Sequence, residues 1–168
     1  MDDFEDQKKK HLNPILFETG AGLLDSQSFE YQIAYLLHLF TKAGIGNLSE
    51  AKTTAILEDD EKKTAGQLIG LLKKETPVAT DVEELLADAL LARNKLVHRV
   101  LIDNIERFVD AVEREKLVIE IRGLRKRIRT AYNRLDPLVS IMASSVENLS
   151  IEEFSKEAKD AFIDSTQA

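Results

Sequence analysis

Apolar positions recur at three- and four-residue steps along most of this chain, and no run alternates with period two, so the pattern predicts helices without strands. Phe29, Ile33, Leu36, Leu37 and Phe40 make one face of a helix that starts at Ser26 or Ser28 and is ended by Gly44 and Gly46. Asn47 or Ser49 can cap the next helix, to which Ile56 and Leu57 contribute the apolar side. Beyond the charged run from Glu58 to Lys63, Leu68, Ile69, Leu71 and Leu72 predict a third helix that stops before Pro77. Thr80 or Asp81 starts a fourth, with Glu83 and Glu84 placed at the positive end of its dipole. Val82, Leu85, Leu86, Ala89, Leu90, Leu96 and Val97 give it a broad apolar surface, suited to a central helix.

From Asp103 to about Ser145 the only turn signals are Gly123 and Pro137, which predicts one long helix or a pair kinked at Pro137. Ile121, Leu124, Ile128, Ala131, Leu135, Leu138 and Met142 share one register, whereas Ile105, Phe108, Val112 and Ile119 follow another. The shift between them argues against a uniform coiled coil. Ser150 with Glu153 is a capping box for a last helix through about Phe162. Residues 1–25 contain Pro14, Gly20 and Gly22 and show little periodicity, so they read as an N-terminal arm. There is no internal repeat.

Within the fourth helix lies Arg93-Asn94-Lys95-Leu96-Val97-His98. Asn94 and His98 are four residues apart and share a face, whereas Arg93 and His98 are rotated by about 140° from one another. The three groups can line one pocket if the pocket wraps the helix, and a second copy of the chain packed across a twofold axis would supply that wrapping. An imidazole and a permanently charged guanidinium are a minimal set for handling a phosphodiester. The structural alternative gives Arg93 a carboxylate on a neighbouring helix, Asn94 a backbone group, and His98 a place at the helix's negative end.

The run from Leu90 to Arg99 resembles the signature of the HEPN superfamily, in which Arg, a polar residue that is often Asn, and then His close the third helix of a small bundle. Lys63 to Lys74 is also similar to the Gly-containing second helix of some bacterial members. The likeness covers roughly residues 26 to 115. It implies an all-α, HEPN-like bundle over residues 26–165, a homodimer, and a metal-independent ribonuclease site built from Arg93, Asn94 and His98 of both chains. It also allows a toxin-like ribonuclease held in check by a nucleotidyltransferase-type antitoxin, or a non-catalytic interaction module of the same shape.

Composition narrows the classes. The 168 residues suffice for a core without disulfides, and with no Cys there is neither a thiolate nucleophile nor a Cys-based zinc site. The first ten residues lack an apolar segment and no membrane span occurs, so a cytoplasmic protein is expected. The net charge of −7 opposes indiscriminate coating of nucleic acid. Yet Arg122, Arg125, Lys126, Arg127, Arg129 and Arg134 fall together with no acidic residue among them. That strip either binds RNA beside the site, through Arg122, Arg125, Lys126 and Arg129, or is a helix face paired with acidic neighbours.

No phosphate loop, HExxH or EF-hand spacing is present, and no nucleophile elbow accompanies His11, His38 or His98. His38 reads as a core-edge histidine, His11 as a residue of the arm, and Tyr31, Tyr35 and Tyr132 as too scattered for a stacking platform. For a ribonuclease, His98 would serve as general base or acid and Arg93 would hold the scissile phosphate, while Asn94 would orient His98 or a phosphate oxygen. With the 2′-hydroxyl as nucleophile no metal or other cofactor is needed, the first product is a 2′,3′-cyclic phosphate, and DNA resists.

Overall fold

Glu18, Thr19 and Ser26 are polar, yet all three are buried on the stripe that also carries Ile15, Phe29, Ile33, Leu36, Leu37 and Phe40. The spacing of that stripe is helical from end to end. In the computed structural model, which describes the backbone from Asp2 to Val146 and side chains from Lys9, the first helix (α1) accordingly spans Asp2–Lys42. The arm expected over residues 1–25 is thus corrected to helix. The reason is that its buried face is partly polar but satisfied: Thr19 Oγ1 donates to the Ile15 carbonyl and Ser26 Oγ to that of Gly22, both at 2.8 Å. Pro14 lies inside this helix and forgoes one backbone bond. Gly22 is there for packing, because a Cβ at this position would come within 2.5 Å of Leu96 Cδ1. At the far end the Ile45 N–H donates to the Phe40 carbonyl and the Gly44 N–H to that of Thr41, with Gly44 at φ +74°, the left-handed geometry that stops a helix there.

The next three helices fall where the pattern places them. α2 spans Glu50–Leu57 and is capped by Ser49, whose hydroxyl accepts from the Lys52 N–H. α3 spans Ala65–Glu75 behind a reciprocal Thr64–Gln67 capping box and ends before Pro77. α4 spans Thr80–His98, starting at Thr80 as expected, with Ala79 as an N-cap that offers no side-chain bond. Its buried residues are Leu86, Ala89, Ala92 and Leu96, while Leu91 is exposed.

The long C-terminal helix begins later than its pattern suggests. A 3₁₀ segment occupies Ile102–Phe108, and α5 spans Ala111–Val146 as one helix with Pro137 inside it. Asn104 breaks the helical geometry at φ −124°, its side chain donating to the Val100 carbonyl, and Asp110 then caps α5 by accepting the Glu113 N–H at 2.9 Å. Ile105, Val112 and Ile119 are exposed, whereas Ile121, Leu124, Ile128, Ala131 and Leu135 are buried, so the two registers differ in burial as well. The seam continues through Val139 and Ala143, with Leu138 left exposed. The helix expected from Ser150 lies outside the described residues.

All regular structure among the described residues is helical, an all-α fold. Two compact units can be distinguished. One joins Met1–Glu30 with Val78–Tyr132, and Phe29, Leu86, Leu96, Leu117, Ile121 and Ile128 are its largest buried side chains together with Ile15. The other joins Tyr31–Pro77 with the chain from Asn133, burying Ile33, Leu36, Leu37, Leu39, Leu68 and Leu72. No described helix is long and apolar enough to cross a membrane.

Candidate functional site

Arg93, Asn94 and His98 come together in the first unit, on the last turns of α4. Arg93 Nη1 lies 2.9 Å from His98 Nε2 and donates to Asn94 Oδ1 at 3.2 Å. Within one chain the long arginine side chain spans the angular gap between Arg93 and the residue that ends α4, with no wrapping pocket needed for the two to meet. A guanidinium can only donate hydrogen bonds, so in this pairing Nε2 of His98 is the acceptor. Asn94 contacts the guanidinium, and its oxygen restrains Arg93 instead of orienting the imidazole.

Glu30 on α1 completes the group. Its Oε1 accepts from Arg93 Nε at 2.6 Å, across 63 residues of sequence, with the arginine side chain 15% and the glutamate side chain 22% exposed. Charge-assisted bonds of this kind are about twice as strong as neutral ones, so Glu30 is what fixes the guanidinium. Sequence reasoning passed over Glu30. The available signal was a single carboxylate on the flank of the Phe29–Ile33 stripe, which does not tell which cation it meets. Among the described residues Nε and Nη1 of the guanidinium are engaged and Nη2 meets no acceptor, which leaves Nη2 for a ligand. Asn94 and His98 are exposed, so the group opens to solvent.

The basic strip on α5 is built differently. Arg122 Nε and Arg125 Nη1 both donate to Glu18, and Arg125 Nε donates to Asp25 Oδ2 at 2.8 Å. Arg127 holds Asp88 of α4 through Nε at 2.9 Å and through Nη2. Burial works to raise the Glu18 pKa, but the hydrogen bonds and charges of Arg122 and Arg125 outweigh it and hold the carboxyl below its ordinary value. Asp88 is likewise lowered, chiefly by its hydrogen bond from Arg127, against the opposing effect of burial. Of the four residues expected to bind RNA, Arg122 and Arg125 are thus engaged by acidic neighbours, and Lys126 and Arg129 are exposed.

The remaining histidines stand apart from this chemistry. His38 is buried, with Nδ1 3.3 Å from Thr53 Oγ1, the core-edge place its pattern suggests. His11 lies on α1 beside a groove of about 480 Å³, lined also by Lys10, Arg114 and Arg122. Tyr31 and Tyr35 are not scattered but stack on one another, 6.2 Å between centroids. Among the described residues no three His, Asp or Glu side chains are grouped to hold a metal ion. Compared with protein-family models, with characterised proteins and with solved structures, the chain matches none.

Proposed function

We propose that this protein is a HEPN-like, metal-independent endoribonuclease whose site consists of Arg93, Asn94 and His98, supported by Glu30. The observation that carries the reading is the 2.9 Å approach of Arg93 Nη1 to His98 Nε2, an imidazole base beside a fixed phosphate-binding cation. In this reading the guanidinium holds the scissile phosphate, Nε2 takes the proton of the 2′-hydroxyl, and the oxygen so released attacks phosphorus. The bond to the 5′-oxygen of the next nucleotide breaks, a proton returns to that oxygen, and a 2′,3′-cyclic phosphate remains.

The homodimer belongs to the same proposal. Ile102, Ile105 and Val109, 74%, 65% and 87% exposed, follow His98 within the next turns of chain and offer an apolar surface beside the site for a second copy. Lys126 and Arg129 supply phosphate contacts outside the site. A second reading, a non-catalytic interaction module with or without an antitoxin-like partner, is favoured by one observation: the His98 lone pair is occupied by Arg93. The discriminating experiment is cleavage of single-stranded RNA in EDTA by wild type and by His98→Ala, with circular dichroism to show that the variant is folded. Cleavage by wild type alone supports the ribonuclease. Intact RNA with both proteins, or equal cutting by both, removes it in favour of the module.

A further inference from the structure

The guanidinium that would bind a phosphate is the same group that covers the base. Glu30 takes Nε, Asn94 and His98 both meet Nη1, and among the described residues Nη2 alone is open. An oxyanion bound through two parallel N–H groups needs two adjacent nitrogens, and Arg93 presents two such edges. The edge formed by Nε and Nη2 is blocked by an ionised carboxylate at 2.6 Å. At Nη1, which shares the other edge with Nη2, the groups met are neutral, His98 at 2.9 Å and Asn94 at 3.2 Å. A charged phosphodiester oxygen is the stronger acceptor for that edge, and His98, exposed at the end of α4, is free to turn away.

We infer that a phosphodiester enters this site by exchange, displacing His98 Nε2 from Arg93 Nη1, so that substrate binding itself uncovers the general base. The inference rests on the ribonuclease reading of the site and adds to it how the base is kept idle and by what class of ligand it is released. Without a bound phosphate the Nε2 lone pair is capped and cannot accept a proton from a hydroxyl. With the phosphate on Nη1 and Nη2, the imidazole is left beside the anion and within reach of the neighbouring 2′-hydroxyl. Glu30 holds the arginine throughout, so the imidazole moves and the guanidinium does not.

The test follows the ring nitrogens of His98 by ¹⁵N NMR at about pH 8, where an ordinary imidazole is neutral. The free protein should show Nδ1 protonated and Nε2 unprotonated. Arg93→Ala should revert to the Nε2–H tautomer that dominates in free histidine, and Arg93→Met, which keeps the stem and removes the donor, serves as the reference if the alanine variant does not fold. Adding a mixed-sequence 2′-O-methyl oligoribonucleotide, which binds but lacks the nucleophile, should shift the wild-type ring signals towards those of the variant. A free wild-type spectrum that already matches the variant overturns the inference, as does a methylated RNA that fails to bind or binds without moving the ring signals. Cleavage of unmodified RNA is scored separately, so exchange without cleavage retains phosphate-for-imidazole exchange at Arg93 and rejects the nuclease and the general-base role with it. Cleavage without exchange does the reverse.

Discussion

Arg93 on α4 and Arg122, Arg125 and Arg127 on α5 all reach carboxylates, but what else they touch divides them. Arg125 spends its N–H groups on two acids and Arg127 closes a two-toothed grip on one, whereas Arg93 gives a single N–H to Glu30 and turns its outer edge towards a neutral imidazole and amide. A cation matched by carboxylates is structural, because a phosphate would have to displace a like-charged competitor. A cation held by one carboxylate and facing neutral groups is fixed in place and still able to bind an anion. In the proposed reading the contrast lets an acidic chain keep one arginine for a phosphate, while three of the six basic residues clustered on α5, Arg122, Arg125 and Arg127, hold carboxylates of the fold.

The largest expected effect lies at the site. His98→Ala should lower RNA cleavage by about 10²–10⁴-fold, the usual worth of a general base, with an unchanged melting temperature because the side chain is exposed. A variant that keeps full activity would erase the distinction between the two groups of arginines.

Next in size is Glu18→Gln. Glu18 is 4% exposed and serves two arginines, so neutralising it leaves Arg125 short of a partner and should reduce stability by on the order of 3 kcal/mol in urea unfolding. The same substitution should leave the Arg93–Glu30 pair intact. An unaltered unfolding midpoint would mean that the α1–α5 ion pairs contribute nothing to the fold.

Acid should expose the same asymmetry. Glu18 and Asp88 bind protons less readily in the folded chain than in the unfolded one, so their contribution is complete above the ordinary carboxylate range. It is lost as pH falls from there through the lowered folded values, where the unfolded chain takes up more protons. Melting temperature measured between neutral pH and acid should fall in that window, and the Glu18→Gln, Asp88→Asn double variant should fall less steeply. Parallel curves for the two proteins would place the acid sensitivity elsewhere.

The smallest effect belongs to the exposed end of the strip. Lys126→Gln with Arg129→Gln should weaken RNA binding and reduce the slope of log affinity against log salt by at most about 1.4, two single-strand phosphate contacts. Arg125→Glu is the wrong probe for the same question, since it sets a third carboxylate against Glu18 and Asp25 and should unfold the unit first.

Much of this was legible in the sequence. The stripe from Phe29 to Phe40, the glycine stop at Gly44, the Ser49 cap and the helix carrying Arg93 all follow from periodicity and local capping chemistry. The first half of α1 was hidden because Glu18, Thr19 and Ser26 stand where apolar residues would have announced the helix, and their partners are backbone carbonyls one turn back or arginines about a hundred residues away. Gly22 hid it further, since a glycine that admits Leu96 looks the same in sequence as one that ends a helix. The site trio was visible as spacing, but its assembly was misjudged because angular separation was weighed without the reach of an arginine side chain. Glu30 and the pairing of the α5 arginines depend on which helices meet, and local sequence does not carry that.

The central claim is that one arginine and one histidine act on a phosphodiester through its neighbouring 2′-hydroxyl. The direct measurement uses an end-labelled DNA strand containing one ribonucleotide, incubated with the protein in EDTA and resolved by mass. The account predicts a single cut, on the 3′ side of the ribonucleotide, leaving a 2′,3′-cyclic phosphate. Cleavage at deoxynucleotide linkages, a 5′-phosphate product or an intact strand would contradict it.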